Sequence, residues 1–301
     1  MSIHRYFLHN GTVRETSEAS LFPGQLGLLA GWGVFTTLLV ADGALFAWER
    51  HWARMSRDAG LLNVEMPGDS GQVEQDLRRL AEWNQAPNCT MRLVVVRNGG
   101  GLWEGTASGR ASDTIALTAN SKLWGDSVRL GIQPHGRYAA SDFTGAKVLS
   151  WAHNLRWAER AQQQGFDEVI LLNEFGRAAE CTSANVFAVF GQELATPPLT
   201  EGCLPGITRE VLLEEIRVPG IRMVERTLTV EELHQADEVF ITSTTRGLLR
   251  VREIAGRGLG GHGDVGERVV RAFDAYVIDD IARRRSASRP ASTTCGAPIE
   301  A

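Results

Sequence analysis

Two lysines, Lys122 and Lys147, stand among 31 lysine and arginine residues in this 301-residue chain. A chain that carries its positive charge almost entirely on arginine makes each lysine a candidate for chemistry that a guanidinium cannot do. Schiff-base formation is the foremost example, because it requires a primary amine that can lose its proton. Lys122 lies in the polar run ANSKLWGDS and reads as a solvated loop residue. Lys147 follows the flexible pair Gly145-Ala146 and is expected to open a helix whose buried stripe is Val148, Trp151, Leu155, Ala158 and Ala161. An amine at so apolar a helix start has little water to keep it charged, so its pKa should fall. Spacing alone leaves a structural and a catalytic reading of Lys147 side by side.

The other candidates are groups that hold anions. Arg50, Arg54 and Arg57 share one face of a helix expected from about Glu49 to Leu62, opposite Trp52, Met55, Ala59 and Leu62. Such a stripe is most simply solvated, yet arginine is a strong bidentate phosphate ligand when something else positions it. Pro205-Gly206 ends a loop before a helix expected over Ile207–Arg217, where unpaired N–H groups and the Thr208 hydroxyl favour an anion. Ser243-Thr244-Thr245 follows a strand expected over Glu238–Thr242 and could cradle a phosphate or simply turn the chain. Each signal is weak alone. One cofactor uses them all: pyridoxal 5′-phosphate needs an amine, a carboxylate facing its ring nitrogen, and an arginine, helix-end N–H groups and hydroxyls for its phosphate.

These groups must be positioned by the elements around them. Tyr6–Leu8 and the segment near Thr12–Val13 read as strands about the turn His9-Asn10-Gly11, and Val34–Val40 and Ala44–Ala47 as a hairpin about Ala41-Asp42-Gly43. Ser70–Trp83 is an amphipathic helix, and Met91–Arg97 and Thr114–Thr118 are further strands. A first unit over residues 1–120, a connection over 121–137, a second unit over 138–283 and a tail without a buried stripe over 284–301 follow from this pattern. In the second unit, Glu168–Leu172, Arg177–Glu180, Val186–Phe190 and Leu194–Ala195 are separated by turns so short that antiparallel pairing is expected. Thr229 and Glu232 form a capping-box pair, and Val265–Ile281 a closing helix with Val269, Phe273, Tyr276 and Asp280 on one side. No GxGxxG follows a strand and opens a helix, which excludes a dinucleotide-binding reading.

Composition narrows the function further. A net charge of -5 with 43% hydrophobic and 22% charged residues is ordinary for a soluble protein and gives no basic balance for nucleic acid. The N-terminus has no apolar signal core, and no run reaches the roughly 18–20 apolar residues of a membrane span. The four cysteines form no CxxC pair, and the seven histidines form no HxH or HExxH, so neither a disulfide framework nor a metal site is expected. The expected compartment is the cytoplasm.

Three blocks, GFDEVILLNEFGRAAECTSANVFAV, LATPPLTEGCLPGITRE and ADEVFITSTT, occur in an order and spacing that resembles the fold type IV pyridoxal-phosphate enzymes, the class IV aminotransferases. The resemblance covers roughly residues 6–255. It implies an α+β, two-domain fold, with a small α/β domain and a larger domain of antiparallel sheets or barrel-like core flanked by helices. It further implies that Lys147 is the Schiff-base lysine and proton shuttle, and that Glu180 faces the pyridine nitrogen. Arg54, Ile207, Thr208, Ser243 and Thr244 become phosphate ligands, and the active site lies between the domains of a homodimer. The implied activity moves an amino group from an amino acid or amine to a 2-keto acid. The alternative within the family is aminodeoxychorismate lyase, which uses the same cofactor and lysine to release pyruvate and 4-aminobenzoate.

Subgroup patterns are matched less closely. Trp32 stands where D-amino acid transaminases and lyases commonly carry Asp, and Thr36-Thr37 where branched-chain enzymes typically read Glu-Gly after Val-Phe. Arg97 is not followed by the RxH clamp of D-specific enzymes, and Ala152 stands where branched-chain enzymes generally place Tyr. Trp32, Phe35, Trp103 and Trp124 are candidates to wall an apolar substrate pocket, and the stretch NGGGLWEG to cover it. No additional basic residue is clearly placed for a second substrate carboxylate.

Overall fold

The computed structural model describes residues 2–20, 22–100, 109–260 and 263–287. Two sheets organise them. The first contains β1 (Ile3–His9), β2 (Thr12–Glu15), β3 (Gly33–Ala41), β4 (Ala44–Leu45), β5 (Cys89–Arg97) and β6 (Ser112–Ala119) in the order β2-β1-β6-β5-β3-β4. All its pairings are antiparallel. The β1–β2 and β3–β4 hairpins turn on Asn10-Gly11 and Asp42-Gly43, with positive φ at both residues of each pair, as two-residue hairpin turns require. Helices α1 (Leu26–Ala30), α2 (Trp48–Leu61) and α3 (Ser70–Trp83) accompany this sheet. Asp69 caps α3 by accepting from the N–H groups of Gly71 and Gln72. Met55 and Ala59 of α2 pack with Leu77 and Leu80 of α3 and Leu38, Met91 and Leu93 of the sheet into one core.

The second sheet runs β12 (Arg222–Glu225), β11 (Glu193–Thr196), β10 (Asn185–Phe190), β13 (Glu238–Ser243), β14 (Gly247–Ile254), β7 (Ser127–Gln133), β8 (Glu168–Leu172), β9 (Ala178–Cys181), with β15 (Arg257–Gly258) paired to β14. It curls so that β9 returns beside the start of β10, where the Cys181 N–H donates to the Ala184 carbonyl. Helices α4 (Ala152–Gln163), α5 (Ile207–Glu214), α6 (Val230–Gln235) and α7 (Asp264–Ala287) flank it. β10 shows the layering: Val186 and Ala188 join the core inside the curl, while Phe187 and Val189 join Val211, Leu212, Val269 and Phe273 outside it. Phe46 and Ala47, just after β4, belong to that outer core as well, so the two sheets share apolar contacts.

The antiparallel pairing expected from the short turns is observed at β8–β9 and β10–β11, and β13–β14 is antiparallel too; β7–β8, β7–β14 and β11–β12 are parallel, so the sheet as a whole is mixed. Several other expectations are corrected. β7 lies inside the 121–137 stretch read as a connection and sits in the middle of the second sheet. Lys147 does not open a helix: it lies in an extended segment, α4 starts five residues later at Ala152, and Leu155 of the expected buried stripe is 53% exposed. Ala47 is not strand but the left-handed N-cap of α2, its N–H donating to Asp280 Oδ2 on α7. α7 continues through Ala287, because Arg284 pairs with Asp280 one turn earlier and with Glu49 on α2, so residues 284–287 of the expected tail are helical. Residues 288–301 of that tail lie outside the described residues.

Candidate active site

A cleft of about 780 Å³ opens between the two sheets, and Arg54, Lys147, Glu180, Ile207, Thr208, Ser243 and Thr244 all line it. Lys147 reaches it from a strap tied to the first sheet. Val148 bridges Val34, the Phe35 N–H donates to the Lys147 carbonyl at 3.1 Å, and the Leu149 N–H donates to the Gly33 carbonyl at 2.9 Å. The Lys147 N–H donates to Asp58 Oδ2 on α2 at 2.9 Å, fixing the residue from a second side. Its Nζ lies 4.6 Å from the centre of the Phe35 ring and 5.7 Å from that of Trp151. Burial, reinforced by the Arg54 and Arg92 charges and opposed by Glu180 and Asp58, pulls the Lys147 amine down to about 7. That amine is therefore substantially neutral near pH 7, as a nucleophile or base must be.

Glu180 projects from β9 and is 6% exposed. Its Oε1 accepts from Arg137 Nε at 3.0 Å and Nη2 at 2.8 Å, and its Oε2 accepts from the Leu204 N–H at 3.0 Å. Arg137 Nη1 also donates to Asn154 Oδ1, whose amide donates to the Thr182 carbonyl. The carboxylate is thus fixed at one oxygen by two N–H groups of an arginine that is itself fixed, and at the other by a backbone N–H.

The loop after Cys203 draws these walls together. Leu204 donates to Glu180 and its carbonyl accepts from Asn185 Nδ2, while the Pro205 carbonyl accepts from Arg54 Nη1 at 3.2 Å. Gly206 then caps α5, and a Cβ there would meet Asn185 Oδ1 at 2.1 Å, so any side chain would push aside the Asn185 amide that holds the Leu204 carbonyl. The first N–H groups of α5, at Ile207 and Thr208, face the cleft with no side-chain cap. Arg54 Nε and the hydroxyls of Thr208 and Thr242 are buried without a hydrogen-bond partner among the described residues. Burial lowers the Arg54 guanidinium to about 10, still cationic at neutral pH. A wall of donors lacking acceptors, around a cation and a helix start, suits a phosphate.

Arg54 therefore does not belong to a solvated stripe. It is 6% exposed, whereas Arg57 points outward and Arg50 pairs with Glu214 and Glu215. The sequence reasoning missed Arg137, His51 and Asp58. The spacing of His51, Arg54 and Asp58 along α2, i, i+3 and i+7, was the available signal for the last two: one polar stripe beside an apolar one. Arg137 carried no local signal. Of the proposed wall aromatics, Trp124 lines the cleft, with its indole N–H donating to the Thr245 carbonyl and Arg246 over its ring. Phe35 lies beneath Lys147, whereas Trp32 packs into the first core and donates to the Leu62 carbonyl. Trp103, with residues 101–108, lies outside the described residues. Tyr138, Phe143, Trp151 and Trp157 supply the remaining aromatic surface. Arg92 also lines the cleft, stacked on Phe35 at 4.4 Å and without a carboxylate partner among the described residues.

The fold and site belong to a recognisable class. A sequence profile described as amino-transferase class IV matches residues 33–254, and the chain belongs to that family of enzymes, which use pyridoxal 5′-phosphate. It is 31% identical over 251 residues to a putative branched-chain-amino-acid aminotransferase of Methanocaldococcus jannaschii, covering 82% of this chain and 87% of the relative. It is 28% identical over 282 residues to the D-alanine aminotransferase of Bacillus licheniformis, covering 92% and 98%. A hypothetical aminotransferase of Mycobacterium tuberculosis, solved in a PLP-bound form, superposes with a TM-score of 0.81 at 25% identity, covering 91% of this chain and 99% of that one. Among the described residues, no helix is long and apolar enough to cross a membrane.

Proposed function

We propose that this enzyme binds pyridoxal 5′-phosphate and transfers an amino group between an amino acid or amine and a 2-keto acid. The observation that carries the proposal is the meeting in one cleft of a desolvated lysine amine, an anchored carboxylate and buried donors without acceptors. When bound, the cofactor supplies a carbonyl for amines and an electron-withdrawing ring. Arg54, the Ile207 and Thr208 N–H groups, the Thr208 hydroxyl, Ser243 and Thr244 would hold its phosphate. Glu180, kept in place by Arg137 and Leu204, would hold a proton on its ring nitrogen. Lys147 Nζ would be the cofactor's attachment point, and the same amine, neutral near pH 7, would take the substrate's α-proton and later return one. The first product leaves before the acceptor enters, which gives ping-pong kinetics.

For the substrates, Trp124, Trp151 and Trp157 offer an apolar wall, and Arg92 is the group we assign to a substrate carboxylate. The relatives named above are transaminases, which favours amino transfer over the lyase reading. Tyr138 and Phe143 line the cleft yet are 60% and 49% exposed, which supports a homodimer in which a second copy covers the mouth. The test is a half-reaction panel without acceptor: L-leucine, L-glutamate, D-alanine, D-glutamate, (R)-1-phenylethylamine and aminodeoxychorismate. Stoichiometric bleaching of the protein-bound chromophore by one amino compound, with its keto product released, is expected and defines the stereochemistry. Catalytic pyruvate release from aminodeoxychorismate with the chromophore retained would overturn amino transfer in favour of the lyase.

A further inference from the structure

Thr36, on β3, and His51, on α2, are each 0% exposed, and no step of the proposed reaction uses either. A buried imidazole is an expensive way to fill space unless both ring nitrogens are satisfied. Both have hydroxyl neighbours here. His51 Nδ1 lies 2.6 Å from Thr36 Oγ1, and Nε2 lies 3.4 Å from Thr244 Oγ1 at the end of β13. Thr36 Oγ1 also accepts from Arg54 Nη2 at 3.0 Å. Four side chains, two from helix α2, one from β3 and one just past β13, therefore form one line: Arg54, Thr36, His51, Thr244. Its two ends, Arg54 and Thr244, both line the cleft where the phosphate reading places an anion.

We propose that Thr36 and His51 are positioning residues that form a one-way hydrogen-bond chain from Arg54 to Thr244 and turn the Thr244 hydroxyl hydrogen toward the bound phosphate. The direction follows from counting hydrogens. A phosphate dianion only accepts, so a Thr244 hydroxyl bound to it must donate, which leaves the Thr244 oxygen to accept from His51 Nε2–H. A neutral imidazole carries one N–H, so Nδ1 is then the acceptor and takes the Thr36 hydrogen. The Thr36 oxygen keeps lone pairs for Arg54, which can only donate. Every hydrogen in the line then points the same way, and each bond polarises the next. A second proton on the ring would end this order, and burial together with the Arg54 and Lys147 charges holds the His51 imidazole well below its ordinary value. Without the chain, the anion alone would have to turn the Thr244 hydroxyl, and that ordering would cost part of its binding free energy.

The inference rests on the phosphate reading of the cleft, and one set of titrations separates the two. The apoenzyme is titrated with pyridoxal 5′-phosphate and with pyridoxal, which has the same ring and no phosphate, following its tryptophan fluorescence. Thr36→Val and His51→Phe are each expected to weaken the phosphate form about tenfold and leave pyridoxal unchanged, the scale of one hydrogen bond to a charged group. Thr36→Ser, which keeps the hydroxyl, should bind like wild type. The double variant should be no weaker than the worse single one, because a chain is broken once. The 31P resonance of the bound cofactor should move in Thr36→Val and not in Thr36→Ser. If His51→Phe does not fold, the Thr36 pair and the resonance carry the test. Wild-type affinity in Thr36→Val, or equal losses for pyridoxal, would overturn the chain and make both residues packing only. A wild-type enzyme with no preference for the phosphate form would overturn the phosphate reading itself and the chain with it.

Discussion

The two ends of the cleft treat their polar groups in opposite ways. At Glu180 both oxygens are taken, and the partner Arg137 is itself held by Asn154. At Arg54 and Thr208, buried donors stand without acceptors beside an uncapped helix start. The first end is complete before any ligand arrives, so its geometry is a property of the protein. The second is complete only with an anion present, so part of its stability has to come from binding. Rigid placement suits a group that must face one ring atom. Unmet donors suit a group whose task is retention.

Lys147, between the ends, should show the largest effect. Lys147→Ala is expected to reduce kcat by roughly a thousandfold or more, since in the proposed reaction it removes both nucleophile and base; residual turnover near wild type would place the chemistry elsewhere. Glu180→Gln attacks the completed end. Its amide NH2 would face either the Leu204 N–H or Arg137, so the apoenzyme should lose about 2 kcal/mol in urea unfolding and kcat about a hundredfold. Arg54→Met should do the reverse at the donor end. It removes a desolvated cation but also the donor to the Pro205 carbonyl and Thr36, so the two effects offset and the apoenzyme should lose less stability than in Glu180→Gln, while cofactor affinity drops about fiftyfold by fluorescence titration. Equal stability losses in Glu180→Gln and Arg54→Met would erase the contrast between the ends.

The smallest effect is a pH dependence of stability. The folded amine of Lys147 is lowered to about 7 from an ordinary value of 10.5, so the folded state binds fewer protons than the unfolded one between those values. The lysine therefore destabilises the apoenzyme most below pH 7, and the penalty fades as pH rises toward 10. Lys147→Met should raise the apo Tm by a few degrees at pH 6 and progressively less at pH 9; a gain independent of pH would mean the amine is not desolvated.

How much could be read from the chain alone tracked how local each feature is. The helix over Ser70–Trp83, the Asn10-Gly11 and Asp42-Gly43 turns and the Thr229–Glu232 capping box are set within a few residues, and all appear as expected. The burial of Arg54 was not legible, because it depends on the Pro205 carbonyl and Thr36 rather than on its helical neighbours. The apolar surroundings of Lys147 suggest a helix, yet Lys147, Val148 and Leu149 form a strap against β3, a pairing across more than a hundred residues. β7 is hidden in the sequence for a similar reason: its parallel partners β8 and β14 lie beyond a crossover, and no hairpin turn announces them. The seven candidate residues nevertheless all line one cleft: motif spacing carries information about long-range assembly that periodicity lacks.

That strap has a consequence for anyone who would recombine this enzyme with its relatives. Lys147 follows β6 and β7 in the chain, yet its backbone is stitched to Gly33 and Phe35 of the first sheet, while Glu180 rides on the second. A crossover point chosen from chain order would assign the lysine to the C-terminal half. The spatial inheritance is different: a transplanted first sheet brings its own seat for the amine. Chimeras joined near residue 120 should therefore require the donor's version of residues 146–149 as well, so the heritable unit of this active site is discontinuous in sequence.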